Sequence, residues 1–242
     1  MVEVAVHADP EDAAAGGLAE QVIAAVTARI RINRLGPGDA LPSESTWASE
    51  LGVSRAVVRE AFGSMAALRL IDVGNGRRAR VSAIDPSVLA LVLDHAVHTD
   101  QISTQQIYDV RRTIELRTVT LAALRRDARE AAAITALATA MRADFAMPAR
   151  VMEHDIAFHE AIARASRNPM FALLVGSFHV VTRQTWPISW NSRATDAERM
   201  ASVAGHEALA RAIAAQDPRA AQTAMAEHFD LSVKALLDAG IT

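Results

Sequence analysis

The reading of this chain turns on residues 43–68, SESTWASELGVSRAVVREAFGSMAAL. Ser43 follows Pro42 and can cap a short helix through Leu51, which Gly52 stops, because glycine takes the left-handed conformation at a helix end without strain. Ser54 caps a second helix, whose apolar row Val58, Ala61, Phe62, Met65 and Leu68 recurs at helical spacing. Two helices joined by a turn of about three residues make a helix-turn-helix. Arg55 and Arg59 stand four apart on one face at the start of the second helix, opposite the apolar row.

Working outward, Val22, Ile23, Val26 and Ile30 predict an earlier helix from Leu18 to about Arg34, broken by GPGD at 36–39. After the pair, LIDVGNGRRARVSA (70–83) reads as two short strands around Gly74-Asn75-Gly76, a hairpin wing with Arg77, Arg78 and Arg80 on its far side. Residues 1–17 are acidic, rich in Ala and Gly, and without a usable period, which predicts a disordered tail. From Asp85 on, the period is helical, with breaks at HTDQIST, DFAMP, SRNP, TDAER and AQDPRA. The expected fold is mainly α: a winged helix-turn-helix over 18–82, then an all-α bundle of six or seven helices over 83–242.

Composition agrees with that class. Of the residues 51% are apolar but only 4% aromatic, which suits close-packed helices built from Ala, Leu, Val and Ile. With no cysteine, neither a disulfide framework nor a thiolate metal site can exist. The start lacks the basic and apolar segments of an export signal, and no stretch reaches roughly 18 uncharged apolar residues, so a cytoplasmic protein without membrane contact is expected. Net charge is −3, yet residues 18–82 carry nine arginines against six acids and form the one basic block. Such a field favours polyanions by releasing condensed counterions.

In a helix-turn-helix the first turn of the second helix enters the major groove, where arginine can grip guanine O6 and N7 with two parallel hydrogen bonds. Arg55 and Arg59 are the candidates for that grip, against the alternative of arginines that merely solvate a helix. Val57 either touches a thymine methyl or packs. In the helical part, Asp155 and His159 in HDIAFHEAI project from one helix face at i, i+4, while His206 and His228 flank the Asp217-Pro218 turn at a spacing that lets an antiparallel pair hold both at one height. Three imidazoles and one carboxylate suit a divalent metal, zinc ahead of nickel, manganese and iron, with positions open for a ligand oxygen. The alternative is histidines that cap helices or are satisfied in the core. His154 is expected to be exposed, and His95, His98 and His179 receive no role. Arg111 either faces a ligand cavity or pairs with Glu115 at i, i+4. Trp186 and Trp190 either line a cavity or cover a helix end.

The stretch PGDALPSESTWASELGVSRAVVREAFGSMAALRLI (37–71) resembles the N-terminal winged helix of the GntR family of bacterial transcription regulators, in its Pro-Gly, Leu-Pro-Ser-Glu, Leu-Gly-Val-Ser-Arg and Val-Arg-Glu-Ala elements. The likeness implies double-stranded operator DNA as partner, with Ser43, Ser54, Arg55, Val57 and Arg59 at the duplex and the wing tip Asn75-Gly76 approaching the minor groove. Two positions depart from the pattern: Ser45 stands where arginine is usual and Arg69 where glycine is usual. Residues from about 83 resemble the FadR-type C-terminal domain, in the group with Asp-x-x-x-His and two later histidines. That likeness implies Asp155, His159, His206 and His228 as metal ligands and Arg111 as an effector contact. It implies a homodimeric regulator, a repressor, that senses a small organic or sugar acid. A regulator that senses the metal itself is the alternative. A metal-dependent hydrolase fits less well, because Glu153 and Glu160, the carboxylates nearest the ligands, point off their face, and no enzyme is expected.

Overall fold

The structure is a computed structural model that describes residues 17–74 and 76–241. The expected tail, apart from Gly17, and Asn75 at the wing tip therefore lie outside the described residues. The chain divides into two compact units, one ending at Asp85 and the other beginning at Pro86.

The first unit is built from α1 (Leu18–Ile32), α2 (Glu44–Leu51), α3 (Arg55–Ala67), β1 (Ile71–Asp72) and β2 (Arg80–Val81). Ser43 Oγ accepts the Thr46 amide at 3.1 Å and Ser54 Oγ accepts the Val57 amide at 3.3 Å, so both helices start at capped serines. Gly52, at φ +66°, reverses the chain between them. Val58, Ala61, Phe62 and Met65 close over Val22, Val26, Leu41 and Trp47 in one buried cluster. Burial of a side chain such as Phe62 is worth about 1.5–3 kcal/mol, which anchors α3 by one face and leaves the other free. Leu68 departs from the predicted row: it is 55% exposed, because α3 ends at Ala67 and the next residue turns out of register. The wing is shorter than expected, two residues a strand, with Ile71 paired to Val81 and Asp72 to Arg80. It is widened by residues 38–41, whose Leu41 amide donates to Ala79 O and Gly38 amide to Val81 O, both at 2.8 Å.

The second unit contains eight helices among the described residues, not six or seven: α4 (Ser87–His98), α5 (Thr104–Arg125), α6 (Ala128–Ala143), α7 (Pro148–Ala165), α8 (Pro169–Ser177), α9 (His179–Ser192), α10 (Asp196–Ala214) and α11 (Pro218–Asp238). Two breaks account for the difference. Asp127 starts α6 with a capping box, its carboxylate accepting the Glu130 amide while Glu130 accepts the Asp127 amide. Phe178 both ends α8 and begins α9. Just before it, a Cβ on Gly176 would stand 3.2 Å from the Pro86 ring, so the close approach at the start of α4 requires glycine.

Helix α5 packs against α7, α10 and α11, and α6 against α7 and α10. Phe158, Ile162, Met141, Leu209, Ile213, Met225 and Phe229 fill the space between them. The inner faces are not wholly apolar. Arg111 and Glu115 on α5, Asp155 and His159 on α7, Thr182, Thr185 and Ser189 on α9 and His206 on α10 are all buried. Polar groups are buried at such cost that they must satisfy one another or a ligand.

Candidate functional site

Two sites follow, one in each unit. In the first, a groove of about 510 Å³ runs between α3 and the wing, lined by Ser43, Glu44, Ser45, Arg55, Arg59, Gly76, Arg77 and Arg78 among others. It brings together Ser43, Arg55, Arg59 and Gly76 from the expected DNA-binding set. Ser54 is an exposed cap outside the groove wall, and Val57 is half-buried against the core, which is the packing alternative. Arg80 does not join Arg77 and Arg78: its Nη1 donates to Gly38 O at 2.5 Å on the other side of the wing. Arg55 and Arg59 are also less free than the sequence implied. Arg59 Nε donates to Glu44 Oε2 at 2.8 Å and Arg55 Nη2 lies 3.8 Å from the same oxygen. One carboxylate from α2 thus holds both arginines side by side. Ser45 Oγ meets Ser43 Oγ at 2.8 Å, too short a side chain to add a positive charge there.

In the second unit, ligand atoms of Asp155, His159, His206 and His228 all lie within 4.8 Å of one another. The spacing in the sequence explains this: i, i+4 on α7 stacks Asp155 above His159, and the Asp217-Pro218 turn folds α11 back on α10 so that the His206 and His228 rings come to 4.6 Å. His159 sits 5.0 Å from His228 and 5.9 Å from His206, centroid to centroid.

The proton positions follow from the partners. His206 Nδ1 contacts Ser202 O at 2.9 Å, and a carbonyl only accepts, so Nδ1 carries a proton and Nε2 is the atom left to ligate when the ring is neutral. That Nε2 stands 2.7 Å from Asp155 Oδ1, off the hydrogen-bonding direction and without a hydrogen-bond partner among the described residues. His159 Nδ1 is hydrogen-bonded to Glu115, and its Nε2 is likewise buried and unpartnered. Two buried imidazole nitrogens without a hydrogen-bond partner and a carboxylate oxygen meet at one point, a donor set that fits a divalent cation once the rings are neutral.

Glu115, read from the sequence only as a partner for Arg111, also reaches the cluster. It accepts from Arg111 Nε at 3.1 Å through one oxygen and meets His159 through the other. The i, i+4 signal for the Arg111 pair was legible; the His159 contact, 44 positions away, was not. The arrangement is a carboxylate-oriented histidine of the kind that fixes a metal ligand's tautomer and raises its basicity. Arg111 Nη1 also donates to Thr182 Oγ1 at 2.9 Å, and its guanidinium lies 5.1 Å from the Tyr108 ring centroid. Both alternatives for Arg111 are therefore realised: it pairs with Glu115 and it also borders the cavity.

Burial pushes the Asp155 carboxyl up, but the His206, His159 and His228 rings outweigh it and hold that carboxyl well below the usual carboxylate range. Glu115 is lowered too, because His159 and Arg111 overcome its desolvation. His159 is raised against its own burial by the Glu115 carboxylate. Burial and the neighbouring His206 and His159 rings push His228 well below an ordinary histidine, so it is neutral and ready to ligate. His154 is half-buried rather than exposed, with Nε2 2.9 Å from Asp144 Oδ2.

A cavity of about 30 Å³ touches the cluster, walled by Tyr108, Arg111, Asp155, Thr182, Trp186, Ser189, Trp190, Arg193, Ser202, His228, Phe229 and Ser232. Trp186 and Trp190 stack at 4.8 Å and form part of this wall, the first of the two alternatives for that pair. No helix among the described residues is long and apolar enough to cross a membrane.

Comparison with known proteins agrees with both halves. Residues 106–231 match the FCD domain, and residues 18–81 match the domain of bacterial regulatory proteins, gntR family. The chain is 30% identical over 194 residues to the galactonate operon transcriptional repressor of Escherichia coli, covering 78% of this chain and 83% of that one. It is 29% identical over 203 residues to the HTH-type transcriptional regulator LutR of Bacillus subtilis, covering 82% and 92%. In fold it is similar to Streptococcus agalactiae GntR, with a TM-score of 0.65 at 23% identity over 89% of this chain and 98% of that one. With a winged helix-turn-helix ahead of a helical unit that holds a four-residue donor cluster, the chain belongs to the gntR family of bacterial regulatory proteins that carry an FCD domain.

Proposed function

We propose that the protein is a cytoplasmic transcription repressor, homodimeric on its operator, that releases or grips DNA according to a small acid held at a metal in the helical unit. The observation that carries this reading is the pair of buried, unpartnered Nε2 atoms of His159 and His206 facing Asp155. Asp155, His159, His206 and His228 hold the ion, zinc ahead of nickel, manganese or iron. The ion supplies a Lewis-acidic point for a carboxylate oxygen. Arg111 offers Nη2, which has no partner among the described residues, as a second contact for the same carboxylate. The polar row Thr182, Thr185 and Ser189 suits hydroxyl groups, and the similarity to a galactonate operon repressor supports a hydroxy acid.

Catalysis is not part of this reading. Glu115, the carboxylate closest to the cluster, is committed to His159 and Arg111, while Glu153 and Glu160 pair outward with Arg183 and Arg164. These ion pairs speak against any of the three glutamates serving as a general base.

On the DNA side, Arg55 and Arg59 read base edges from the major groove, and Ser43, Gly76, Arg77 and Arg78 flank the backbone. A two-fold dimer presents two such helices to half-sites about one helical turn apart. The test is operator band shift with metal and acid varied separately. Zinc alone should leave operator binding in place and an aldonic or dicarboxylic acid at constant zinc should change it; release by zinc alone, with no further effect of acids, would convert the reading to a metal sensor. Arg55→Ala should cost roughly 1–3 kcal/mol of operator affinity at moderate salt, and His206→Ala should strip zinc in elemental analysis.

A further inference from the structure

Beside the metal cavity lies a second hollow of about 230 Å³, walled by Ser192, Glu198, Leu231, Lys234 and Asp238. Two residues, Arg193 and Ser202, border both spaces. We propose that Arg193 is the gate between the outer hollow and the metal cavity, and that it selects effectors carrying a second negative group. The proposal rests on the reading of the inner cavity as an acid site.

Three observations converge on Arg193. It ends α9, and its Nη1 is held by Ser189 O at 2.5 Å and Ser189 Oγ at 3.0 Å, both neutral acceptors on its own helix. Unlike Arg111, it has no carboxylate within ion-pair distance among the described residues, although it is largely withdrawn from water. Burial accordingly disfavours its charge. An arginine latched by neutral oxygens is readily drawn away by an anion, because a charge-assisted bond replaces a weaker one.

Size points the same way. The inner space of about 30 Å³ accommodates about two waters and is too small for an organic acid, so a ligand must part its wall. On the side of the outer hollow that wall is Arg193 with Ser202. Ser202 is fixed by the bond its carbonyl accepts from His206, which leaves the arginine as the movable element.

Charge then defines the ligand. Around the inner cavity Asp155 and Glu115 balance Arg111 and Arg193, so a divalent ion with neutral histidine ligands leaves two positive charges uncompensated there, while Glu198 in the wall of the outer hollow acts on Arg193 only from beyond ion-pair distance. A dicarboxylate cancels both: one end at the ion and Arg111, the other at Arg193. A monocarboxylate leaves the Arg193 charge buried and unpaired, at the desolvation cost that such charges carry.

The experiment compares zinc-loaded full-length protein with Arg193→Gln and Arg193→Lys. Calorimetry uses dicarboxylates from malonate to glutarate against monocarboxylates of equal carbon number. The wild type should prefer a dicarboxylate by about tenfold, the worth of one charge-assisted hydrogen bond. Arg193→Gln should erase that preference, with monocarboxylates bound at least as tightly as by the wild type because no charge is left unpaired, and Arg193→Lys should keep part of the preference. Equal preference in wild type and Arg193→Gln, or none in the wild type while monocarboxylates bind, overturns the selection.

Gating is read without ligand or metal, from acrylamide quenching of Trp186 and Trp190 in a Trp47→Phe background. Arg193→Gln should raise the quenching constant, and an unchanged constant overturns the gate. If the wild type binds neither zinc nor any acid, the acid-site reading fails, and quenching still decides whether Arg193 closes the cavity.

Discussion

Arg69 shows how much one backbone angle can carry. Its φ is +56°, at the position where the family pattern has glycine, and its amide bonds Ala66 O while Leu70 bonds Met65 O to close the end of α3. A side chain in the left-handed region costs about 1 kcal/mol, so Arg69→Gly is expected to stabilise the first unit by roughly 0.5–1 kcal/mol in urea denaturation. Arg111 predicts the opposite sign. It is 5% exposed and shares the Glu115 carboxylate with His159, so Arg111→Ala leaves that buried carboxylate with the imidazole alone to offset it. The expected loss is about 3–5 kcal/mol of stability in the second unit, together with weaker zinc binding, since Glu115 orients His159. A variant that binds zinc and unfolds like the wild type while losing only acid affinity would show that the arginine serves the ligand alone.

At the scale of elements, helix ends were legible wherever a short polar residue or proline marks them: Ser43, Ser54, Asn168 and Asp217 all cap as their chemistry dictates. The Asp127 start carried the same signal, Asp three residues before Glu, in an alanine-rich run that masked it. The break at Phe178 carried none; it falls two residues after Gly176, which packs on Pro86. Asp127→Ala should therefore cost about 1 kcal/mol by thermal or urea unfolding. Between α2 and α3, Glu44 keeps Arg55 and Arg59 parallel on the exposed face. Glu44→Gln removes a negative charge from the DNA-facing groove, so affinity for random duplex should rise and its salt dependence steepen, while the gap between operator and random duplex narrows. Filter binding over a salt series measures both, and an unchanged salt slope would mean that Glu44 does not touch the field met by phosphates.

At the scale of the molecule, the candidate ligands Asp155, His159, His206 and His228 lie wholly within the second unit, so zinc bound there should raise only the unfolding transition of that unit, by mass action on the folded state. The pH dependence has a defined sign. His159 is raised above its ordinary value of 6.5, so without metal its proton contributes stability that is complete below about pH 6.5 and is lost as pH rises through the raised value. Asp155 and Glu115 are lowered; their stabilisation is present above about pH 4 and is lost as pH falls through the lowered values. His228, held well below 6.5 by burial and its neighbouring rings, also makes the folded state lose stability as pH falls below about 6.5, so metal-free protein should lose stability on both sides of a pH near 6.5. The zinc-induced shift should grow with pH, because a ligating His159 must release its proton. Differential scanning calorimetry from pH 4 to 8 with and without zinc tests this, and a zinc shift that shrinks with rising pH contradicts it.

Local chemistry alone determined the helix-turn-helix, the two arginines on its outer face, and the shared helix face of Asp155 and His159, since capping and the 3.6-residue period act over a few positions, whereas His206 and His228 meet only because α11 folds back on α10. The tertiary structure decided the rest: that Glu115 reaches His159, that Glu44 binds both recognition arginines, that Leu68 is exposed, and that Arg193 stands between two cavities without a counter-ion. Each of these depends on which groups are brought together through space and stripped of water, and neither proximity nor desolvation is written in the spacing of residues along one helix.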